Sequence, residues 1–305
     1  MTISPLTNSQ DVTLLKSINS DSLILEWKNG FNIDISKDLK QHKSINLYQC
    51  NESKLRFFLP LDVAGSDSLY EQLEKKYDWY YMPRKWEHDV AIKDLKGCSE
   101  VLEVGCGRGD FVSRIHKEIG ANAQGLELNK NAVAYAQNVG IPVTDKNIHE
   151  LAEESPHSFN AICTFQVLEH IPEFKNFLAS LIQLLKADGK LIISVPNYLS
   201  FTKYCNNDLL NQPPHHMTQW SIDTFRFLTQ IFPIQLESYH YEPLAEYHVE
   251  WYLDIQMSRL PRFGVLTRIL NKGVQFLIKP LLKKSHFLRR FITGHTIYVC
   301  FSKSF

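Results

Sequence analysis

No Cys-x-x-Cys pair occurs in the 305 residues; Cys50, Cys98, Cys106, Cys163, Cys205 and Cys300 are scattered. That excludes a zinc knuckle or a dithiol redox centre, and reduced thiols fit a cytoplasmic protein. No apolar run reaches the about 18 residues that a membrane-spanning helix needs. The opening, MTISPLTNSQDVTLL, has no basic stretch leading into an apolar one, so no signal peptide is expected. There is no internal repeat. Net charge is also missing, since 33 basic residues balance 33 acidic ones. A composition of 44% hydrophobic and 22% charged residues excludes wholesale disorder, collagen and low-complexity fibres. The chain is long enough to bury a substantial core.

The charge balance is uneven along the chain. Residues 255–305 carry ten Lys/Arg and no Asp/Glu, which leaves 23 basic against 33 acidic residues in 1–254. A split this sharp predicts an anionic partner for the C-terminal part.

Short β-type runs occupy 1–62: Ser22 to Trp27, Asn32 to Ser36, Ile45 to Cys50 and Leu55 to Leu59, with Asn29-Gly30 as a hairpin signal. They predict a small β-rich appendage. Residues 63–98 form a helical lead-in, SLYEQLEKKYDWYY and RKWEHDVAIKDL, broken at Pro83. From Glu100 the chain alternates strand and helix. Strands are expected at Val101–Val104, Ala123–Leu128, Ile141–Thr144, Phe159–Phe165, Leu191–Val195, Pro233–Tyr241 and Thr296–Phe301. The fold class is therefore α/β: a Rossmann-like, mostly parallel seven-stranded sheet with helices on both faces, its last strand antiparallel at or near the edge. The core spans 99–244 and is completed by 294–305, with a helical insertion at 245–293.

The first core strand runs into Gly105-Cys106-Gly107-Arg108-Gly109, ahead of the helix DFVSRIHKEIG. Glycines there allow positive φ and close backbone approach to a ligand, and the helix start offers free N–H groups. Eighteen residues beyond Gly109, Glu127 ends the second strand, where a carboxylate can accept both hydroxyls of a ribose. A nicotinamide site would want glycine where Asp110 stands. The Gly spacing with Glu103 in front, GLELN, FNAICTFQVLEHI and LLKADGKLIISVPN together resemble the class I S-adenosylmethionine-dependent methyltransferases, over about residues 99–242 plus the last strand. The resemblance implies roles for particular residues. Glu103, Gly105, Cys106, Gly107 and Gly109 would face the methionine end of S-adenosyl-L-methionine. Glu127 would hold the ribose, Leu128 would pack on the adenine, and Asn147 and Ile148 would meet its edge. Phe165, Gln166 and Val167 would line the methyl region.

Methyl transfer from a sulfonium mainly requires an acceptor that is aligned, desolvated and deprotonated. Glu169-His170 follows the fourth strand and His215-His216 follows the fifth, so their loops can converge over one cleft. In one reading His216 or His215, with His170, is a general base. In another, Glu169, His170 and His216 bind a divalent metal, as in relatives with Glu-x-x-Glu-His; Gln166 replaces the first Glu here and weakens that case. In a third, the same residues only cap and shape their loops. Tyr81, Trp86 and His88 are candidates for a lid over the cofactor, or for core packing of two short helices.

Trp86-Glu87-His88, QVLEH and PPHHMTQW resemble a narrower group associated with bacterial polysaccharide and glycan synthesis. That resemblance implies a saccharide or glycolipid acceptor. In the insertion, Arg268, Lys272, Gln275, Lys279 and Lys283 fall on one side of a helical pattern. Leu266, Ile269, Leu270, Gly273, Phe276 and Leu277 fall on the other. Pro280 would end or kink it. A basic amphipathic segment over 264–292 reads as an interfacial membrane binder, or as a docked helix or dimer contact. Nucleic acid is disfavoured, because interleaved aromatics are missing. The expected activity is O-methylation of a saccharide or lipid-linked glycan at the inner face of the cell membrane. The alternatives are a small lipophilic acceptor of the quinone or phenol type, and a non-catalytic cofactor- or membrane-binding module.

Overall fold

The computed structural model describes residues 2–39, 42–77, 80, 82–205, 208–260 and 272–304. The first element is β1 (Val12–Asn19), followed by helix α1 (Ser20–Phe31). This corrects the expectation of a strand at Ser22 to Trp27. Leu23 and Trp27, four residues apart, are buried, whereas Leu25 between them is 58% exposed. That is the helical period, not the alternation of a strand. Asn19 caps the helix by accepting from the Ser22 N–H. Asn29-Gly30 lies inside it, and the chain turns at Asn32 in the left-handed region. Residues 32–36 form no strand either; Ile33 and Ile35 pack in a core with Trp27.

The hairpin expected at Asn29-Gly30 therefore does not form, but the two later runs do become strands, β2 (Ser44–Cys50) and β3 (Arg56–Leu59), with β2 antiparallel to both β1 and β3. The lead-in folds as α2 (Asp67–Lys76) and α3 (Trp86–Asp94). Then comes the alternating core: β4 (Glu100–Val104), α4 (Asp110–Ile119), β5 (Asn122–Leu126), α5 (Lys130–Asn138), β6 (Val143–Thr144), α6 (Ile148–Glu154), β7 (Phe159–Phe165), α7 (Phe174–Leu184) and β8 (Leu185–Pro196). After a long loop follow β9 (Thr218–Gln219), α8 (Ile222–Leu228), β10 (Ile234–Pro243), α9 (Val249–Ser258) and β11 (Thr293–Lys303). Ser221 caps α8 through the Thr224 N–H.

The large sheet has the order β10-β11-β8-β7-β4-β5-β6. β11 is antiparallel to both neighbours and sits one strand in from the edge, where β10 pairs with it alone. The central strands are buried on both faces, which is why Val101–Val104 and Leu191–Val195 are apolar apart from the buried Glu103 and Ser194. One core packs α6, α7 and α8 against the sheet, and another packs α3, α4 and α5 against the opposite face.

β9 does not belong to this sheet. It closes the N-terminal one, whose order is β1-β2-β3-β9, with Phe57 opposite Thr218 and Arg56 opposite Gln219. Two residues of strand fix a loop otherwise without regular pairing, and that loop carries His215 and His216. Between α9 and β11 the described residues are helical: a π-type turn at Val274–Ile278, then Lys279–Lys284 with Pro280 in its first turn, then His286–Arg289.

Candidate active site

The C-terminal ends of β4, β5, β7 and β8 open into a single cavity of about 1780 Å³. That exceeds the several hundred Å³ typical of one small-ligand site and leaves space for two molecules. Its floor is the glycine loop. Gly105 (φ 75°) and Gly107 (φ 54°) line the cavity in the left-handed region. Gly109 (φ 77°), between the lining residues Arg108 and Asp110, forms the turn into α4 and does not itself line the cavity. A Cβ on Gly105 would lie 2.3 Å from Val167 Cγ2, so the loop is pressed against the end of β7.

Glu127 accepts from the Gly107 N–H (2.9 Å) and the Asn129 N–H (2.8 Å), one bond per carboxylate oxygen. Each oxygen keeps a lone pair for a ligand. Leu128 beside it is 69% exposed and lines the cavity. Glu103 is buried, its Oε2 has no hydrogen-bond partner among the described residues, and burial pushes its carboxyl well above the usual range. Asn147 and Ile148 line the far side, but the Asn147 carbonyl already caps α6 through the His149 N–H. Phe165, Gln166, Val167 and Cys106 also line the cavity. Gln166 holds a left-handed φ of 56° and donates to Glu87 Oε1 at 3.2 Å. Burial raises the Cys106 thiol well above its ordinary value.

Above the loop the two histidine motifs do converge. His170, His215 and His216 have ring centroids 4.5–4.7 Å apart, His215 and His216 stacked at 19°. The loop that carries them is held from three directions. Phe58 N–H donates to Met217 O, Met217 N–H to Glu169 O, and Gly65 N–H to Pro214 O. His170 Nδ1 donates to His215 O (2.6 Å) and His215 Nδ1 to Leu210 O (2.9 Å), so each proton sits on Nδ1 and each Nε2 presents a lone pair. His216 Nδ1 meets Asn211 Oδ1 at 3.2 Å. Burial keeps all three rings neutral: it lowers His170 to about 4 and pushes His215 and His216 well below their ordinary value. Buried Glu169 lies beside them, with Oε1 3.9 Å from His216 Nε2 and 4.0 Å from His170 Nε2. Neither Glu169 oxygen has a hydrogen-bond partner among the described residues, and burial pushes the carboxyl up to about 8.

The lead-in helices roof this space, though not with the three residues expected. Tyr81 lies outside the described residues. Trp86 points away, edge-on to Tyr298 in the core, because the helical turn that brings Glu87 and His88 to the cavity sends residue 86 to the sheet. His88 does line the wall, stacked 4.5 Å over Phe111 and lowered to about 3 by burial. Tyr70, from α2, was not foreseen; its hydroxyl is 3.4 Å from both His170 Nδ1 and His215 O. Glu74, on the same helix, ties the roof to the loop by accepting from Arg108 (3.3 Å) and Asn129 (2.6 Å).

A further wall also escaped sequence reasoning. Tyr247, His248, Trp251 and His295 also line the cavity, with His248 and Trp251 rings 5.3 Å apart. Burial raises Glu242, which accepts from the Thr296 N–H, to about 8 and lowers His295 to about 4. These residues come from separate elements, and no short motif marks them.

A family model described as a methyltransferase domain matches residues 47–250. Among curated proteins, the chain is 31% identical over 121 residues to the ubiquinone biosynthesis O-methyltransferase of Xanthomonas oryzae pv. oryzae, covering 38% of this chain and 50% of that protein. It is likewise 31% identical over 104 residues to the enzyme of the same name from Proteus mirabilis, covering 32% and 42%. The chain thus spans about half the length, or less, of these curated relatives. Among solved structures, the plantazolicin methyltransferase BpumL in complex with SAH superposes with a TM-score of 0.50 at 15% identity, covering 79% of this chain and 92% of that one. That likeness bears on the fold.

Proposed function

Because this chain belongs to the methyltransferase-domain family, we propose that it transfers a methyl group from S-adenosylmethionine to a hydroxyl oxygen of a lipophilic phenol of the quinone type. One observation carries the reading: a single cavity joins the glycine loop and its two carboxylates to a cluster of neutral histidines and the aromatic side chains of Tyr247 and Trp251. The activity named for the curated relatives supports a quinone-type phenol over the saccharide that the sequence alone favoured.

The residues present fit the cofactor. The orphan oxygen of Glu103 suits the cationic methionine end, and the spare lone pairs of Glu127 suit a pair of ribose hydroxyls. Leu128 offers an apolar face to a flat base, beside Asn147 and Ile148. Phe165 and Val167 close the sulfur end and exclude water. Once bound, the cofactor supplies an electrophilic methyl group with a good leaving group. The protein's task is then to hold a hydroxyl in line and take its proton. We assign the base to the Nε2 lone pair of His216, with Glu169 facing it, and give His215 and His170 the role of fixing that ring by stacking and edge contact.

A Glu127→Ala chain is expected to bind S-adenosylmethionine and S-adenosylhomocysteine at least about tenfold more weakly in titration calorimetry, which corresponds to roughly 1.4 kcal/mol. Unchanged affinity would remove the ribose role. The acceptor is tested with methyl-labelled cofactor against a catechol bearing an isoprenoid tail and against lipid-linked sugars. Label in a phenolic ether supports the reading, and label only in the sugar overturns it in favour of glycan methylation.

The histidine cluster favours a second reading, a divalent metal. His170, His215 and His216 place one donor atom each within 4.8 Å of one another, and the Glu169 oxygen is 3.9–4.0 Å from two of them. Tetrahedral ligands at zinc distances stand roughly 3.4 Å apart, so the cluster would have to contract to hold an ion. Turnover that persists after exhaustive chelation supports the base, and turnover restored only by added metal supports the ion.

A further inference from the structure

The insertion before β11 turns part of its basic side onto the body and leaves part of its apolar side uncovered. Lys279 and Lys283, on the basic side of the sequence pattern, both bind Glu250 of α9, at 2.9 and 2.6 Å. Leu282, with Leu288 and Ile292 beside it, anchors the segment on Phe201, Val249 and Leu253. Leu266, Ile269 and Leu270 of the apolar side and Arg268 of the basic side lie outside the described residues. Phe276 and Leu277, on the apolar side, are 81% and 72% exposed. Leu281 is half exposed, and Phe287 and Phe291 stand in solvent with rings 5.2 Å apart. Monomeric proteins rarely leave so many large apolar side chains uncovered in one segment.

The charges around these side chains select what covers them. Lys272, Lys284 and Arg290 are exposed beside the apolar residues, and residues 255–305 contain no acid at all. We propose that the Val274–Phe291 face is a membrane-docking surface, in which the phenylalanines and leucines enter the acyl boundary of an anionic leaflet and the three cations meet its headgroups. A second copy of the chain would present the same cations and be repelled. Among the described residues no helix is long and apolar enough to cross a membrane, so the surface would lie on the leaflet. The buried side of this segment shares a core with Trp251, which lines the cavity, so a docked protein holds that part of the cavity wall near the lipid. The docking is independent of which acceptor is methylated.

The test is co-sedimentation of the full chain with vesicles of phosphatidylcholine alone and with about a third phosphatidylglycerol added, at low and high salt. Selective binding to the anionic vesicles is expected, weakening with salt. The double variant Phe287→Ser/Phe291→Ser should lose at least about tenfold in partition, and Lys284→Glu/Arg290→Glu should lose the preference for phosphatidylglycerol. Near-ultraviolet circular dichroism and S-adenosylmethionine binding, unchanged in both variants, show that they are folded. Failure of the wild type to bind anionic vesicles overturns the proposal. Equal binding by the phenylalanine variant does so too. So does light scattering that shows a wild-type dimer split by Phe287→Ser/Phe291→Ser without vesicle binding, since the face then joins two copies.

Discussion

Replacing Gly105 by alanine should abolish useful cofactor binding, with an expected loss of at least about 100-fold in affinity, or roughly 2.7 kcal/mol. Two costs combine. The backbone at φ 75° is unfavourable for any residue with a Cβ, and the added carbon would lie 2.3 Å from Val167 Cγ2. Val167 is β-branched and cannot swing aside by one rotamer change. It must move with its backbone, which continues into Glu169 and His170. The loop and the histidine cluster would therefore shift together. Gly97→Ala is the control: its φ of 86° imposes comparable backbone strain, yet nothing lies within 4 Å of the new carbon and the position does not line the cavity. It should lower stability by about 1 kcal/mol and leave cofactor affinity unchanged. Calorimetry on both variants decides the matter; equal losses would mean that strain alone, and not the fit of loop to β7, sets the affinity.

Loss of the His216–Glu169 pair should be the largest effect on turnover. His216→Ala is expected to lower kcat by about 10²- to 10³-fold, the usual range for a general base, while the affinity for S-adenosylmethionine stays within a factor of a few. The pH dependence carries a sign. Burial raises Glu169 to about 8, so the carboxyl is largely protonated at neutral pH and ionises as pH rises through that value. An ionised Glu169, 3.9 Å from His216 Nε2, stabilises the imidazolium that forms when the acceptor proton is taken. The wild-type kcat should therefore climb between about pH 7 and 9. Glu169→Gln should remove that limb and leave a low, flat profile. A rise that survives in Glu169→Gln would transfer the titration to another group or to the acceptor itself. Full turnover in His216→Ala would remove the base assignment and leave the family untouched.

The parts of this molecule that were readable in advance are those where one physical demand shapes consecutive residues. A strand buried on both faces is apolar at nearly every position, so Val101–Val104, interrupted only by Glu103, and Leu191–Val195, interrupted only by Ser194, announced themselves, and the glycines at 105 and 107 mark a turn that holds positive φ. Short motifs at strand ends, Glu169-His170 and His215-His216, also gave away their convergence, because neighbouring parallel strands end on the same side. What escaped depends on demands spread over distant residues. SLILEW satisfies either a helix or a strand, and the Asn19 cap and the burial of Trp27 decide it. Whether Trp86 or Glu87 faces the cavity follows from how α3 is rotated on the sheet. The wall of Tyr247, His248, Trp251 and His295 is assembled from α9, the turn before it and β11, with no spacing rule to join them. The orientation of the insertion follows from Leu282, Leu288 and Ile292 packing on Phe201, Val249 and Leu253, with the Glu250 ion pairs beside them, all partners distant in sequence.

The place of β11 governs the order in which the protein can be assembled. It lies between β8 and β10, yet roughly a hundred residues separate it from β8 along the chain. At translation rates of about 5–20 residues per second, the flank of β8 waits on the order of 5–20 s for its partner to be synthesised. Through that interval β10 has nothing to pair with, and an apolar strand edge is open to any other extended segment in the cell. The nascent chain is thus most exposed to misassociation in its final third, and that is the stretch over which a chaperone would need to hold it.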